Sequence, residues 1–100
     1  MTSGETVRAE ILVSGRVQGV GFRRFARNAA ERLGVESNPK NLRDGRVFVI
    51  AEGRTESVQL YIAELRKGPM FAHVEYVDVT FKEALGNVYQ AFWKKAWAKK

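Results

Sequence analysis

Three glycines within seven residues, at 15, 19 and 21, separate a stretch of strand period from a stretch of helix period. Upstream, Val7, Ala9, Ile11 and Val13 alternate with Arg8, Glu10 and Ser14, the period-2 pattern of a strand with one buried face. Downstream, Phe22, Phe25, Ala26, Ala29 and Leu33 recur at helical spacing. That spacing leaves Arg23, Arg24, Arg27, Asn28, Glu31 and Arg32 mostly outward, and Gly34 supplies the stop. The chain therefore opens as strand, glycine turn, helix.

Residues 35–42 carry little pattern, and Pro39, which donates no backbone hydrogen bond, restricts that segment to an edge strand. Arg43-Asp44-Gly45-Arg46 signals a hairpin, because Asp-Gly accepts positive φ at little cost. Val47 to Ala51 is a dense β-forming run and should be the better-buried partner. Thr55 is placed to cap a second helix, with Glu56 favoured by the dipole of its first turn. Val58, Tyr61, Ile62 and Leu65 form its apolar stripe, and Gly68-Pro69 ends it.

A strand from about Ala72 to Lys82 follows, and its change of apolar parity predicts a bulge near Glu75–Val77. A short last strand fits Val88–Phe92, although Tyr89, Phe92, Trp93, Ala96 and Trp97 fit a helical stripe equally well. The order is βαββαβ. Two strand-helix-strand units with right-handed crossovers interleave into one antiparallel sheet with both helices on one face, an α+β, ferredoxin-like sandwich. Fold alone decides no function.

One hundred residues suffice for one core and not for two, so a single domain is expected, its core about 7–92 and a basic Trp/Lys tail at 93–100. The opening residues are short and polar, and no apolar run reaches membrane-spanning length, so neither a leader nor a span is expected. Having no cysteine, the chain can build neither a disulfide framework nor a thiolate metal site, which fits a reducing compartment; cytoplasm is the expectation. A formal charge of +6 favours an anionic partner without choosing among metabolite, nucleic acid and lipid surface.

The glycine loop narrows that choice. A loop entering a helix gathers backbone N–H groups where orphan donors and the dipole both favour an anion, and glycines let those groups converge. Arg23, at the start of the helix, can close the site with its guanidinium fork. The mononucleotide P-loop is excluded, since Phe22-Arg23 follows Gly21 where it needs Lys and Ser/Thr; the dinucleotide fingerprint needs another glycine spacing. From the residues alone two readings stand: a phosphate cradle, or a turn whose glycines relieve strain beside surface arginines.

Gly15-Arg16-Val17-Gln18-Gly19-Val20-Gly21-Phe22-Arg23 resembles the acylphosphatase signature. Asn41-Leu42-Arg43-Asp44-Gly45-Arg46-Val47 resembles that family's second motif, and Gly68-Pro69 with Ala72-His73-Val74 its third. The resemblance spans about Val7 to Lys82, in order. It implies a ferredoxin-like hydrolase of acyl phosphates in which the loop from Gln18 through Gly19, Val20 and Gly21 to Phe22 binds the phosphate. By the same resemblance Arg23 anchors that phosphate and Asn41 holds the attacking water. The expected partners are a small acyl phosphate and, as competitors, inorganic phosphate or sulfate. No cofactor, metal ion or nucleic acid is expected, and the chain is expected to be a monomer.

What the inventory lacks agrees with that chemistry. Cysteine is absent, His73 stands alone and far along the chain from the loop, and Asp44 and Asp78 are isolated. A cradle with no protein nucleophile and no evident base suffices only for a labile substrate with a good leaving group. Arg24, Arg27 and Arg32 read as a solvated helix face, and Phe22 and Phe25 as core. The remaining alternatives are a non-catalytic phosphate-binding module and a basic nucleic-acid-binding domain of the same fold. The second should carry aromatics on its sheet, a spacing that Arg46-Val47-Phe48-Val49-Ile50 lacks.

Overall fold

A computed structural model of the chain describes residues 5–86 and Val88. In order along it run β1 (Thr6–Arg16), α1 (Phe22–Leu33), β2 (Glu36–Asn41), β3 (Val47–Arg54), α2 (Thr55–Lys67) and β4 (His73–Glu83). The strands form one antiparallel sheet in the order β2-β3-β1-β4. This is the βαββαβ sandwich expected from the periodicities. Residues 89–92, most of the proposed last strand, and the tail at 93–100 lie outside the described residues; Val88 sits in a turn.

The main core lies between sheet and helices. Ala9, Ile11 and Val13 of β1 and Val47, Val49 and Ala51 of β3 meet Phe22, Ala26, Ala29 and Ala30 of α1 and Val58, Tyr61, Ile62 and Leu65 of α2. Each set is the apolar stripe its period predicts. Burial pushes the Tyr61 hydroxyl up to about 12, tempered by Ser37 beside it and by the charge of Arg27. At the end of α1, Gly34 takes the left-handed conformation, and the next amide, Val35, bonds back to Ala30 at 2.8 Å. The start of α2 departs from expectation. Thr55 is its first helical residue, the cap position belongs to Arg54, and no side chain caps it.

β4 contains the predicted bulge. Ser14 pairs with Tyr76 and Gly15 with Val74, so Glu75 is the extra residue and the parity of Val74 is restored against Val77 and Val79. The crossing is tight enough to demand glycine. Gly15 has φ +123, and a Cβ there would run into the His73 carbonyl and lie 2.8 Å from the Glu75 nitrogen.

The opposite face of the sheet holds a smaller cluster, Phe48, Ile50 and Val88 with Leu12 and Leu42 beside it. Here the strand alternation hid a buried charge. Arg8, read as outward, is 2% exposed and its Nε lies 2.7 Å from Glu52 Oε2. Glu52 also accepts the amides of Leu85 at 2.8 Å and Gly86 at 2.9 Å. Burial alone would raise its pKa, but the Leu85 amide, Arg8 and the Gly86 amide together hold the carboxyl below its ordinary value.

Candidate active site

The β2–β3 hairpin sets one side of the site. Leu42 donates to the Arg46 carbonyl at 2.8 Å and Gly45 to that of Leu42 at 3.2 Å, closing a three-residue loop with Gly45 at φ +97. Asp44 accepts from the Arg46 amide at 3.1 Å and from its Nε at 2.8 Å, and this guanidinium holds the Asp44 carboxyl below its ordinary range.

Because Leu42 and Arg46 form a hydrogen-bonded pair, alternation makes Lys40/Phe48 and Asn38/Ile50 bonded pairs as well. Pro39, opposite Val49, falls at a non-bonded position. Its imide nitrogen faces the open edge, no ladder bond is lost, and its side chain is fully buried. The same parity carries Ser37, Pro39 and Asn41 on the face that packs on α1. Ser37 and Pro39 lie buried, and Asn41, exposed at the end of the strand, is delivered to the start of α1.

The glycine loop sets the other side. Gly19 and Gly21 adopt φ +75 and +79 with open space where a Cβ would stand, so backbone conformation rather than crowding requires glycine. Gly21 is the cap residue of α1, and the Phe25 amide bonds its carbonyl at 3.0 Å. The amides of Phe22, Arg23 and Arg24 precede the first intrahelical donor and have no helical acceptor to meet.

Between the two sides opens a cleft of about 340 Å³ lined by Val17, Gly19, Gly21, Phe22, Arg23, Arg24, Arg27 and Asn41. Arg23 and Asn41, 18 positions apart in the chain, thus share one space with the loop. Val20 packs its side chain on the main core instead. The side chain of Gln18 is also committed elsewhere: its Nε2 donates to the Leu42 carbonyl at 2.7 Å and to the Arg46 carbonyl at 2.9 Å. It ties the loop to the hairpin beside Asn41. No local pattern could announce this bond between residues so distant in sequence.

Arg24 and Arg27, read from the sequence as a solvated face, stand on the cleft, whereas Arg32 faces Glu64 at 3.6 Å. Among the described residues Arg23, Arg24 and Arg27 have no carboxylate partner, while Arg8, Arg46 and Lys82 each have one. The first turn of α1 contains no acid. Cations at a helix N-terminus oppose its dipole, so this arrangement costs stability unless an anion is bound. His73, exposed and distant in sequence, pairs with Arg16 at the entrance to the loop but does not line the cleft. Among the described residues no three His, Cys, Asp or Glu side chains gather as a metal site would require.

The acylphosphatase family model matches residues 9–92, a run that takes in both sides of the cleft. The chain belongs to the acylphosphatase family. An acylphosphatase of Thermus thermophilus is 48% identical over 79 residues, covering 79% of this chain and 90% of that protein. One from Roseiflexus is 44% identical over 83% of this chain and 89% of its own length. The crystal structure of an acylphosphatase from Bacillus subtilis superposes with a TM-score of 0.79 at 35% identity, covering 82% of this chain and 91% of that one. The acylphosphatase likeness thus extends over most of both partners. No helix among the described residues is long and apolar enough to cross a membrane.

Proposed function

We propose that this chain hydrolyses acyl phosphates to a carboxylate and inorganic phosphate, with Arg23 and the amides of the 18–23 loop holding the phosphoryl group and Asn41 orienting water. The hydrolase activity follows from membership of the acylphosphatase family. The single observation that carries the residue roles is that Arg23, the glycine loop and Asn41 line one cleft.

The loop amides and the guanidinium surround a tetrahedral oxyanion on the side where its charge is held through the reaction. Water held by the Asn41 carboxamide attacks phosphorus in line. The new P–O bond forms as the bond to the acyl oxygen breaks, and the carboxylate departs with that electron pair. One proton of the water passes to a phosphoryl oxygen, so no side chain need act as base. A labile anhydride requires only this positioning and charge stabilisation. Inorganic phosphate, a product, occupies the same cradle as a competitor.

A nucleic-acid platform gains no support from the second face of the sheet, where Phe48 and Ile50 are buried under Val88. The deciding experiment is hydrolysis of acetyl phosphate by the purified chain, with and without a chelator, beside Arg23→Ala. Turnover indifferent to chelator and lost in the variant is expected. Full activity in Arg23→Ala would remove the anchor, and loss of activity on chelation would remove the metal-free route.

A further inference from the structure

The phosphoryl group needs the loop amides and one guanidinium, yet the cleft presents three guanidiniums without a carboxylate partner among the described residues. Arg24 and Arg27 are spaced i, i+3 and Arg23 and Arg27 i, i+4, so they rise from neighbouring positions on one side of α1. Like charges at these spacings repel, and Arg23 and Arg24 also stand against the helix dipole. Elsewhere on the molecule the fold settles some of its cations with acids, Arg32 on Glu64, Arg46 on Asp44 and Lys82 on Glu10. Along the cleft it leaves them open.

We propose that Arg24 and Arg27 form a subsite for a second anionic group, carried by the acyl part of the substrate, so that the enzyme prefers acyl phosphates of dicarboxylic acids over those of neutral acids. This inference rests on the hydrolytic reading above and adds a substrate class to it. With the phosphoryl group on the loop and Arg23 and the attacking water on Asn41, the lining left for the acyl chain is Val17, Arg24 and Arg27. Neighbouring side chains on this face start about 5–6 Å apart, a span that a chain of about five carbons bridges from phosphoryl group to distal carboxylate. Two guanidiniums can share that carboxylate, each through paired N–H donors. The benefit per exposed charge is modest, about threefold for each arginine and roughly tenfold for both.

The test compares glutaryl phosphate with pentanoyl phosphate, which match in carbon count and differ in the distal carboxylate. Wild-type enzyme should show a kcat/KM about tenfold higher for glutaryl phosphate at low salt, narrowing as salt is raised. In the Arg24→Gln/Arg27→Gln double variant the ratio should fall to roughly one, with intermediate ratios in the single variants. Both positions are exposed and glutamine is a good helix former. The ratio of two substrates measured on one preparation also cancels any inactive fraction. Equal wild-type rates on the two acyl phosphates, or a ratio that survives in the double variant, would overturn the subsite while leaving the hydrolase standing. Failure of wild-type enzyme on both acyl phosphates would instead overturn the hydrolytic reading, and the subsite with it.

Discussion

The side-chain amide of Gln18 donates to the Leu42 carbonyl at 2.7 Å, one residue beyond Asn41, and so links the glycine loop to the end of β2. The same nitrogen reaches, at 2.9 Å, the carbonyl of Arg46, the residue before β3. The two halves of the proposed site are therefore held at a fixed separation by a side chain that does not line the cleft. Gln18→Ala should lower kcat by about tenfold with a smaller change in KM, because misplacing groups that meet in the transition state costs rate before affinity. Steady-state kinetics with acetyl phosphate check this. An unchanged kcat in a folded variant would make the bond merely structural.

Arg23 and Asn41 should separate kinetically. Removing a charged oxyanion donor costs on the order of 10²–10³ in rate, so Arg23→Ala should lose kcat/KM by at least that factor, along with inhibition by phosphate. Asn41→Ala should lower kcat far more than it changes the inhibition constant of phosphate, since the carboxamide is assigned to water rather than to the anion. Loss of phosphate inhibition in Asn41→Ala would reassign it to the cradle.

Phosphate should raise the melting temperature of wild-type protein, because it binds the native state and settles the unpaired charge at the start of α1. At a hundredfold excess over its dissociation constant the linkage is about 2.7 kcal/mol. Arg24→Glu should raise the melting temperature without phosphate, by placing an acid in the first turn, and should shrink the shift that phosphate produces. Thermal melts at matched ionic strength decide between these effects and general salt stabilisation.

Gly15→Ala should destabilise the fold by on the order of 3 kcal/mol, a large value that follows from a left-handed φ and a collision with backbone atoms of β4. Gly19→Ala meets no neighbour and pays only for its φ, so it should cost less stability while disturbing the amides of the cradle. Urea unfolding compares the two.

The Arg8–Glu52 pair makes stability depend on acid. The folded pKa of Glu52 lies below its ordinary 4.5, so the stabilisation is complete above that value and drains away as pH falls through the folded value. Glu52→Gln should flatten stability against pH in this window and lower the melting temperature by more than about 10 °C, since it removes the negative charge that faces a buried guanidinium. Melts between pH 3 and 7 test it.

Much of this was legible in the chain. The periods of β1, α1, β3 and α2, the stop at Gly34 and the parity change in β4 specify local structure, and their order leaves few ways to build a sheet. The glycine loop and Arg23 offered an anion cradle by local chemistry beside the reading of a plain turn, and the acylphosphatase resemblance chose between the two. The position of Arg24 and Arg27 was harder, because a helical wheel distinguishes inside from outside but not which outside faces β2. The missing acid in the first turn of α1 was the available clue. Arg8 was misread since alternation says only that it faces away from the helices, and the groups that meet Glu52 and Ile50 on the second face, the Leu85 and Gly86 amides and Val88, come from far along the chain. Pro39, an obstacle to any strand in isolation, is harmless because the hairpin places it at a non-bonded pair.

That placement of Pro39 bears on how molecules of this protein behave towards one another. Along β2 the backbone donors aimed outward belong to Ser37, Pro39 and Asn41, by the alternation fixed at Leu42 and Arg46. The middle one does not exist. A strand from a second copy, or from a partly unfolded neighbour, that tried to lengthen the sheet at this edge would find its ladder broken at the centre of a six-residue rung. The residue that looked least suited to this position therefore closes the edge to aggregation, at a site where the folded chain itself loses no hydrogen bond.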